Sequence, residues 1–169
     1  LCEQGKMSYN EPIGKHLDND WLSSEISKKV QVKHLLSHTS GIGISKGDDN
    51  LFYLEQYISK KFRQIDDYKI LTKDAFLKTD PGKESSYSNI GFHLLGPIIE
   101  KVSGEGYYDY IQAHIFDIAG MKDTDFDELD QLAPNTARGY VKEQKDGKIS
   151  WRSNESDCNW KGTPAGGAY

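Results

Sequence analysis

The sequence has no long apolar run, little cysteine and no excess of positive charge. Its longest stretch free of Asp, Glu, Lys and Arg runs over 15 residues from Ser85 to Ile99 and is broken by Ser, Asn, Gly, His and Pro, so it is no membrane span. Acidic side chains number 26 against 21 basic ones, for a net charge of -5, and the pairs Lys28-Lys29 and Lys60-Lys61 are interleaved with acids. A nucleic-acid partner is disfavoured. Cys2 and Cys158 lie near opposite ends without Cys-x-x-Cys spacing, which leaves their pairing and the compartment open.

Several catalytic motifs are also missing. No Gly-Lys-Ser/Thr phosphate loop occurs, which removes the usual P-loop reading. His34 and His38 are four apart, the spacing of a two-histidine metal site, but no Glu follows the first, and a histidine capping carbonyls at a helix end is the better reading. His16, His93 and His114 are isolated, and Asp48-Asp49-Asn50 lacks the later glycine and glutamate of a calcium loop. No metal site and no cofactor is implied.

What is present suits one globular unit. The chain has 169 residues and 19.1 kDa, and its mean hydropathy of -0.70 is offset by 10 Tyr, 6 Phe and 3 Trp, too many large anchors for a disordered chain. Val32, Leu35 and Leu36 predict a short helix running into His38-Thr39-Ser40-Gly41. Asn50 caps a predicted helix carrying Leu51, Leu54, Ile58 and Phe62, and Thr72 starts another with Ala75, Phe76 and Leu77 behind it. The clearest helix begins near Asn89, places Ile90, Leu94, Leu95, Ile98, Ile99 and Val102 on one stripe, is bent by Pro97 and ends at Ser103-Gly104. Gly106 opens a further helix with Tyr107, Ile111, Ile115 and Phe116, stopped at Gly120. Ala137 to Val141 and Ile149 to Trp151 flank Lys145-Asp146-Gly147 and predict a hairpin. The expected fold class is mainly α with a small β-hairpin.

One segment could carry chemistry: Pro81-Gly82-Lys83-Glu84-Ser85-Ser86-Tyr87-Ser88-Asn89-Ile90-Gly91. It reads as a turn, an extended approach and a polar helix start. In one account Ser88 or Asn89 caps the helix and Tyr87 packs an edge. In the other, Tyr87 and Asn89 project from the helix mouth into a cleft, phenol beside amide.

Longer strings carry a resemblance. His34-Leu35-Leu36-Ser37-His38-Thr39-Ser40-Gly41 resembles a signature of the β-lactamase-related serine hydrolases, which include class C β-lactamases, D-alanyl-D-alanine carboxypeptidases, penicillin-binding proteins and related esterases. Tyr87-Ser88-Asn89 resembles the family's Tyr-x-Asn box. Leu94-Leu95-Gly96, Ile98 to Gly104, His114-Ile115-Phe116, Gly120 to Thr124 and Pro164-Ala165-Gly166-Gly167 resemble later segments in the family's order.

The resemblance implies three boxes: Ser-x-x-Lys for nucleophile and base, Tyr-x-Asn for proton transfer and substrate amide, and a Lys/His-Thr/Ser-Gly strand for the substrate carboxylate. Only the second is here, because no lysine of the chain has Ser or Thr three residues before it. Lys161-Gly162-Thr163 falls too early in the family's order and is a decoy. A free phenol has a pKa of about 10, so a tyrosine needs a neighbouring cation to act as a base at neutral pH. By this resemblance Tyr87 is the catalytic proton shuttle, Asn89 the substrate-binding residue, and residues 1–169 the central, mostly helical part of a larger α/β plus all-α domain.

Leu1 to Gly5 reads as the end of a helix, and the chain as a piece cut from a longer protein, with the nucleophile segment and most of the sheet elsewhere. The piece alone is expected to be inactive and to self-associate through apolar surface left uncovered. The implied substrate is a β-lactam, a D-Ala-D-Ala peptide or an ester, and the implied location is the bacterial envelope. A non-catalytic binding or sensor protein of the same family is the alternative. The polar segment from Arg63 to Lys73 has no counterpart in the family and is expected to reshape the cleft rim.

Overall fold

Ser23 closes an extended stretch, and its hydroxyl accepts the Ile26 N–H at 3.4 Å to start α1 (Ser24–Lys29). The computed structural model describes residues 1–44, 62–126, 128, 134, 137, 139–153 and 161–166. Glu25 in the first turn of α1 and Lys28 and Lys29 in the last complement the helix dipole, and Ile26 and Ser27 are buried. Gln31 then opens α2 (Val32–Leu36) with a reciprocal cap: its side chain accepts from the His34 N–H, and His34 Nδ1 accepts from the Gln31 N–H at 3.2 Å. Val32 and Leu35 enter the core while Leu36 stays exposed.

Beyond α2 the chain reverses through left-handed residues, His38 at φ 54° and Gly41 at φ 69°, and enters β1 (Ile42–Ile44). This short strand pairs antiparallel with β2 (Ala75–Leu77), Ile42 opposite Leu77 and Ile44 opposite Ala75. The helix predicted to start at Thr72 is therefore corrected. Thr72 instead ends α3 (Lys69–Thr72), where its hydroxyl bonds back to the Lys69 carbonyl at 3.0 Å, and the three apolar residues behind it form the strand. Pairing with the distant β1 edge overrides a weak local helix signal, as expected of strand residues.

The polar run from Arg63 to Lys73 is also partly core. Its 3-10 turn Ile65–Tyr68 leads directly into α3 and buries Ile65, Tyr68 and Leu71. The Tyr68 ring stacks on His93 at 4.9 Å, while Lys69 on the outer side pairs with Asp20 at 2.8 Å and Asp66 at 3.0 Å. Charge lies on one side of the segment and core on the other.

The single long helix expected from Asn89 is two: α4 (Asn89–His93) and α5 (Leu95–Ser103), joined at Leu94. Pro97 has no N–H for the His93 carbonyl, so the chain restarts and places the proline in the first turn of α5, where it is tolerated. The stripe survives the break, with Ile90, Leu94 and Ile98 at most 1% exposed. Burial of each such side chain contributes about 1.5–3 kcal/mol. Gly104, at φ 79°, closes α5, and the Glu100 carboxylate accepts the Tyr107 N–H at 2.9 Å to hold α6 (Tyr107–Ile111).

A π-helical turn, Gln112–Phe116, follows α6 and runs into α7 (Asp117–Ala119), which Gly120 ends at φ 69°. The wider turn shifts the helical phase. Ile115, predicted on the buried stripe, is 49% exposed, whereas Phe116 beside it is buried. The hairpin β3 (Tyr140–Lys145) and β4 (Lys148–Ser153) turns at Asp146 and Gly147, both with positive φ as a type I′ turn requires. Ala137 lies before the strand. Among the described residues the fold thus carries two antiparallel strand pairs, where one hairpin is expected from the sequence.

Of the helix predicted from Asn50, Leu51, Leu54 and Ile58 lie outside the described residues, and Phe62 is buried. Asp48-Asp49-Asn50 and Cys158 lie outside them too. At the start of the chain Lys6 N–H bonds to the Leu1 carbonyl at 3.1 Å and Gly5 N–H to that of Cys2 at 2.9 Å, with Gly5 at φ 69°, the bonding of a helix-ending turn. Among the described residues no helix is long and apolar enough to cross a membrane.

Gly41 sits directly against the backbone of Thr79. A Cβ there would meet the Thr79 carbonyl oxygen, in a conformation already unfavourable to side chains. Gly41→Ala is expected to cost at least about 2 kcal/mol of unfolding free energy in urea titrations. An unchanged midpoint would contradict the close approach of β1 to the segment after β2.

Candidate active site

The loop from Lys78 to Ser88 is fastened to His38, Thr39 and Gly41. Gly41 O accepts the Lys78 N–H at 2.8 Å, Thr39 O accepts the Gly82 N–H at 2.8 Å, and His38 O accepts the Ser86 N–H at 2.8 Å. A fourth bond comes from the side chain, as Ser88 N–H donates to His38 Nδ1 at 3.2 Å. Four amides of one loop are thereby read off a stretch of four residues, including the left-handed His38 and Gly41.

This fastening delivers Tyr87, Ser88 and Asn89 to the start of α4. Ser88 is the N-cap: it is buried, and its hydroxyl accepts the Gly91 N–H at 3.3 Å. Its neighbours are placed differently. Tyr87 is 67% exposed, so most of its side chain is open to solvent. Its phenol donates to Asn89 Oδ1 at 2.7 Å, and its ring lies 4.7 Å from that of His38. The bond uses the Asn89 carbonyl and leaves the two amide hydrogens as donors. A proton donor and acceptor thus stands beside an amide donor at a helix mouth, the pairing needed to move a proton and hold a substrate carbonyl.

Nδ1 of His34 receives the Gln31 N–H and Nδ1 of His38 receives the Ser88 N–H, so one nitrogen of each ring is engaged by a backbone amide. Among the described residues no group of three or more His, Cys, Asp or Glu could hold an ion. The expectation that the helix-end histidine caps carbonyls is corrected: His38 accepts through both its ring and its carbonyl. His-Thr-Ser-Gly is visible as a string, but its role in holding Tyr87 depends on the positive φ of His38 and on contacts about fifty residues away.

Lys161 and Thr163 serve packing. Lys161 Nζ sits 4.2 Å over the Tyr108 ring. Thr163 is buried and closes its own turn with Gly166 through bonds of 2.7 and 3.0 Å. Pro164 presses on α5, where a Cβ on Gly96 would lie 2.7 Å from its Cγ.

Burial is the main force pushing the His34 imidazole below its ordinary value of 6.5, with the Lys33 charge adding to it. The neutral ring is what the Gln31 cap requires, and a Cβ on Gly82 would come within 3.2 Å of His34 Nε2.

Comparison with known proteins gives a consistent result. The family described as Beta-lactamase matches residues 1–169. A penicillin-binding protein of Bacillus subtilis is 31% identical over 134 residues, covering 73% of this chain and 26% of that protein. The crystal structure of a penicillin-binding protein from Bacillus halodurans superposes with a TM-score of 0.82 at 34% identity, over 99% of this chain and 48% of that one. A D-amino acid amidase from Ochrobactrum anthropi shares the fold, with a TM-score of 0.70 at 24% identity over 99% of this chain and 46% of its own. The chain spans about a quarter of the length of the curated relatives it matches, and just under half of these two solved structures.

His34 sets a pH dependence whose sign is fixed. Its folded value lies below the unfolded one, so its contribution to stability is complete above the ordinary 6.5 and is lost as the pH falls below it. The melting temperature is expected to drop between about pH 7.5 and about pH 5.5, and to drop less in His34→Asn, which keeps an acceptor but takes up no proton. Equal losses in the two proteins would contradict this.

Proposed function

Because the chain belongs to the beta-lactamase family, we propose that it is the Tyr-x-Asn portion of a serine hydrolase that cleaves amide or ester bonds through an acyl-enzyme. The observation that carries this reading is the Tyr87–Asn89 pair, held at 2.7 Å at the mouth of α4 with the Tyr87 ring open to solvent. Tyr87 relays a proton and Asn89 binds the substrate amide. The nucleophilic serine and its lysine come from residues outside these 169, since no Ser-x-x-Lys occurs within them. The carboxylate-binding strand does as well, since Lys161 and Thr163 are engaged in packing.

The reaction on this reading runs in two halves. Serine Oγ attacks the substrate carbonyl carbon, the proton it loses passes by way of the Tyr87 phenol to the leaving nitrogen or oxygen, and the acyl–leaving-group bond breaks. Water then attacks the ester, its proton returning to the serine through the same groups. A neighbouring cation is needed for the phenol to accept a proton, and the lysine of the missing box supplies it. Asn89, its carbonyl engaged by the phenol, offers its amide hydrogens to the substrate. The substrate class is a β-lactam, a D-Ala-D-Ala peptide or a small ester.

Covalent labelling by a fluorescent penicillin is the first test. The full-length protein should become labelled and the 169-residue chain should not, while a full-length protein that neither labels nor hydrolyses amides and esters would contradict the reading. Tyr87→Phe should slow acylation by about 100- to 10,000-fold. Its exposed hydroxyl leaves stability within about 0.5 kcal/mol of wild type in the same protein. Full retained activity would remove Tyr87 from the chemistry.

A further inference from the structure

His38 touches Tyr87 and its flanks in three ways. Its carbonyl accepts the Ser86 N–H at 2.8 Å, its Nδ1 accepts the Ser88 N–H at 3.2 Å, and its ring lies 4.7 Å from Tyr87 on one contact and 4.8 Å from Phe92 of α4 on another. The residues before and after Tyr87 are thus bonded to the same histidine that its ring leans on. An exposed tyrosine ordinarily samples several rotamers, and an exposed hydrogen bond to Asn89 contributes little alone. The histidine supplies what local structure does not.

We infer that His38 is the positioning residue that holds Tyr87 in hydrogen-bonding register with Asn89, by fixing Ser86 and Ser88 on either side and supporting the ring between them. This rests on the proposed role of Tyr87 as proton relay. The Nδ1 bond requires a lone pair on that nitrogen, so the working imidazole is neutral with its proton on Nε2. No residue lacking an acceptor at this point can replace it. The left-handed φ of 54° restricts the choice further, because few side chains tolerate it.

That backbone also dictates the test. His38→Gly in the full-length protein keeps a comfortable left-handed backbone and removes both acceptor and ring, whereas His38→Asn, also at ease there, restores an acceptor near the position of Nδ1. For amide or ester turnover, His38→Gly should lower kcat by about 10- to 100-fold with little change in KM, the cost of a misplaced catalytic group. His38→Asn should recover part of that loss. Wild-type kcat in His38→Gly, or equal losses in the two variants, would overturn the inference.

A second readout does not depend on turnover. The Ser88 amide and Tyr87 ring resonances should shift together in His38→Gly, and the Ser88 amide should move back toward its wild-type position in His38→Asn. Resonances unchanged in His38→Gly would overturn the inference even in an inactive protein. A wild type that lacks hydrolysis but shows these shifts would sink the proposed function and leave the positioning role standing.

Discussion

Everything near the helix mouth depends on backbone carbonyls turned outward by two left-handed residues. His38 and Gly41 reverse the chain after α2, and the carbonyls of His38, Thr39 and Gly41 then receive the amides of Ser86, Gly82 and Lys78. A loop of this kind would otherwise carry unpaired amides and wander. Here it is pinned every fourth residue from Lys78 to Ser86, and a last pin two residues on, from Ser88 to the His38 ring, coincides with the N-cap of α4. The same residue that starts a helix therefore ends the loop, which fixes the directions of Tyr87 and Asn89 together.

The core stands behind this device. α4 rests on α2, with Gly91 facing Leu35, and the stripe of Ile90, Leu94 and Ile98 continues through the break at Leu94 into α5. Tyr68 from the preceding segment stacks on His93, so the polar run before α3 is anchored to the helix that carries the site. On the other side of α5 the turn of Thr163 to Gly166 closes over Gly96 through Pro164. Tyr87 is exposed because it is held from below.

Much of this was legible in the residues. Asn89 to Ser103 carries its apolar stripe plainly, Asp146-Gly147 announces its hairpin, and Tyr87-Ser88-Asn89 stands out once the string around His38 is matched to a family. What was not legible lay in non-local pairing and in helical phase. Ala75 to Leu77 reads as helix because its strand partner is thirty residues earlier, and Ile115 reads as core because one wide turn cannot be seen in the spacing. The break at Leu94 follows from Pro97, yet its placement ahead of the proline reflects where the lost hydrogen bond would have been. The work of His38 was hidden for the same reason as the strand: its partners are about fifty residues away.

The central claim is that Tyr87 is held ready beside a nucleophile that another part of the protein supplies. A crystal structure of the full-length protein acylated by a slowly hydrolysed amide or ester analogue tests it most directly. The account predicts Tyr87 Oη within about 3 Å of the acylated serine oxygen and the Asn89 amide nitrogen facing the bound acyl group. An acyl group on a residue remote from the mouth of α4, with Tyr87 in contact only with solvent, would contradict it.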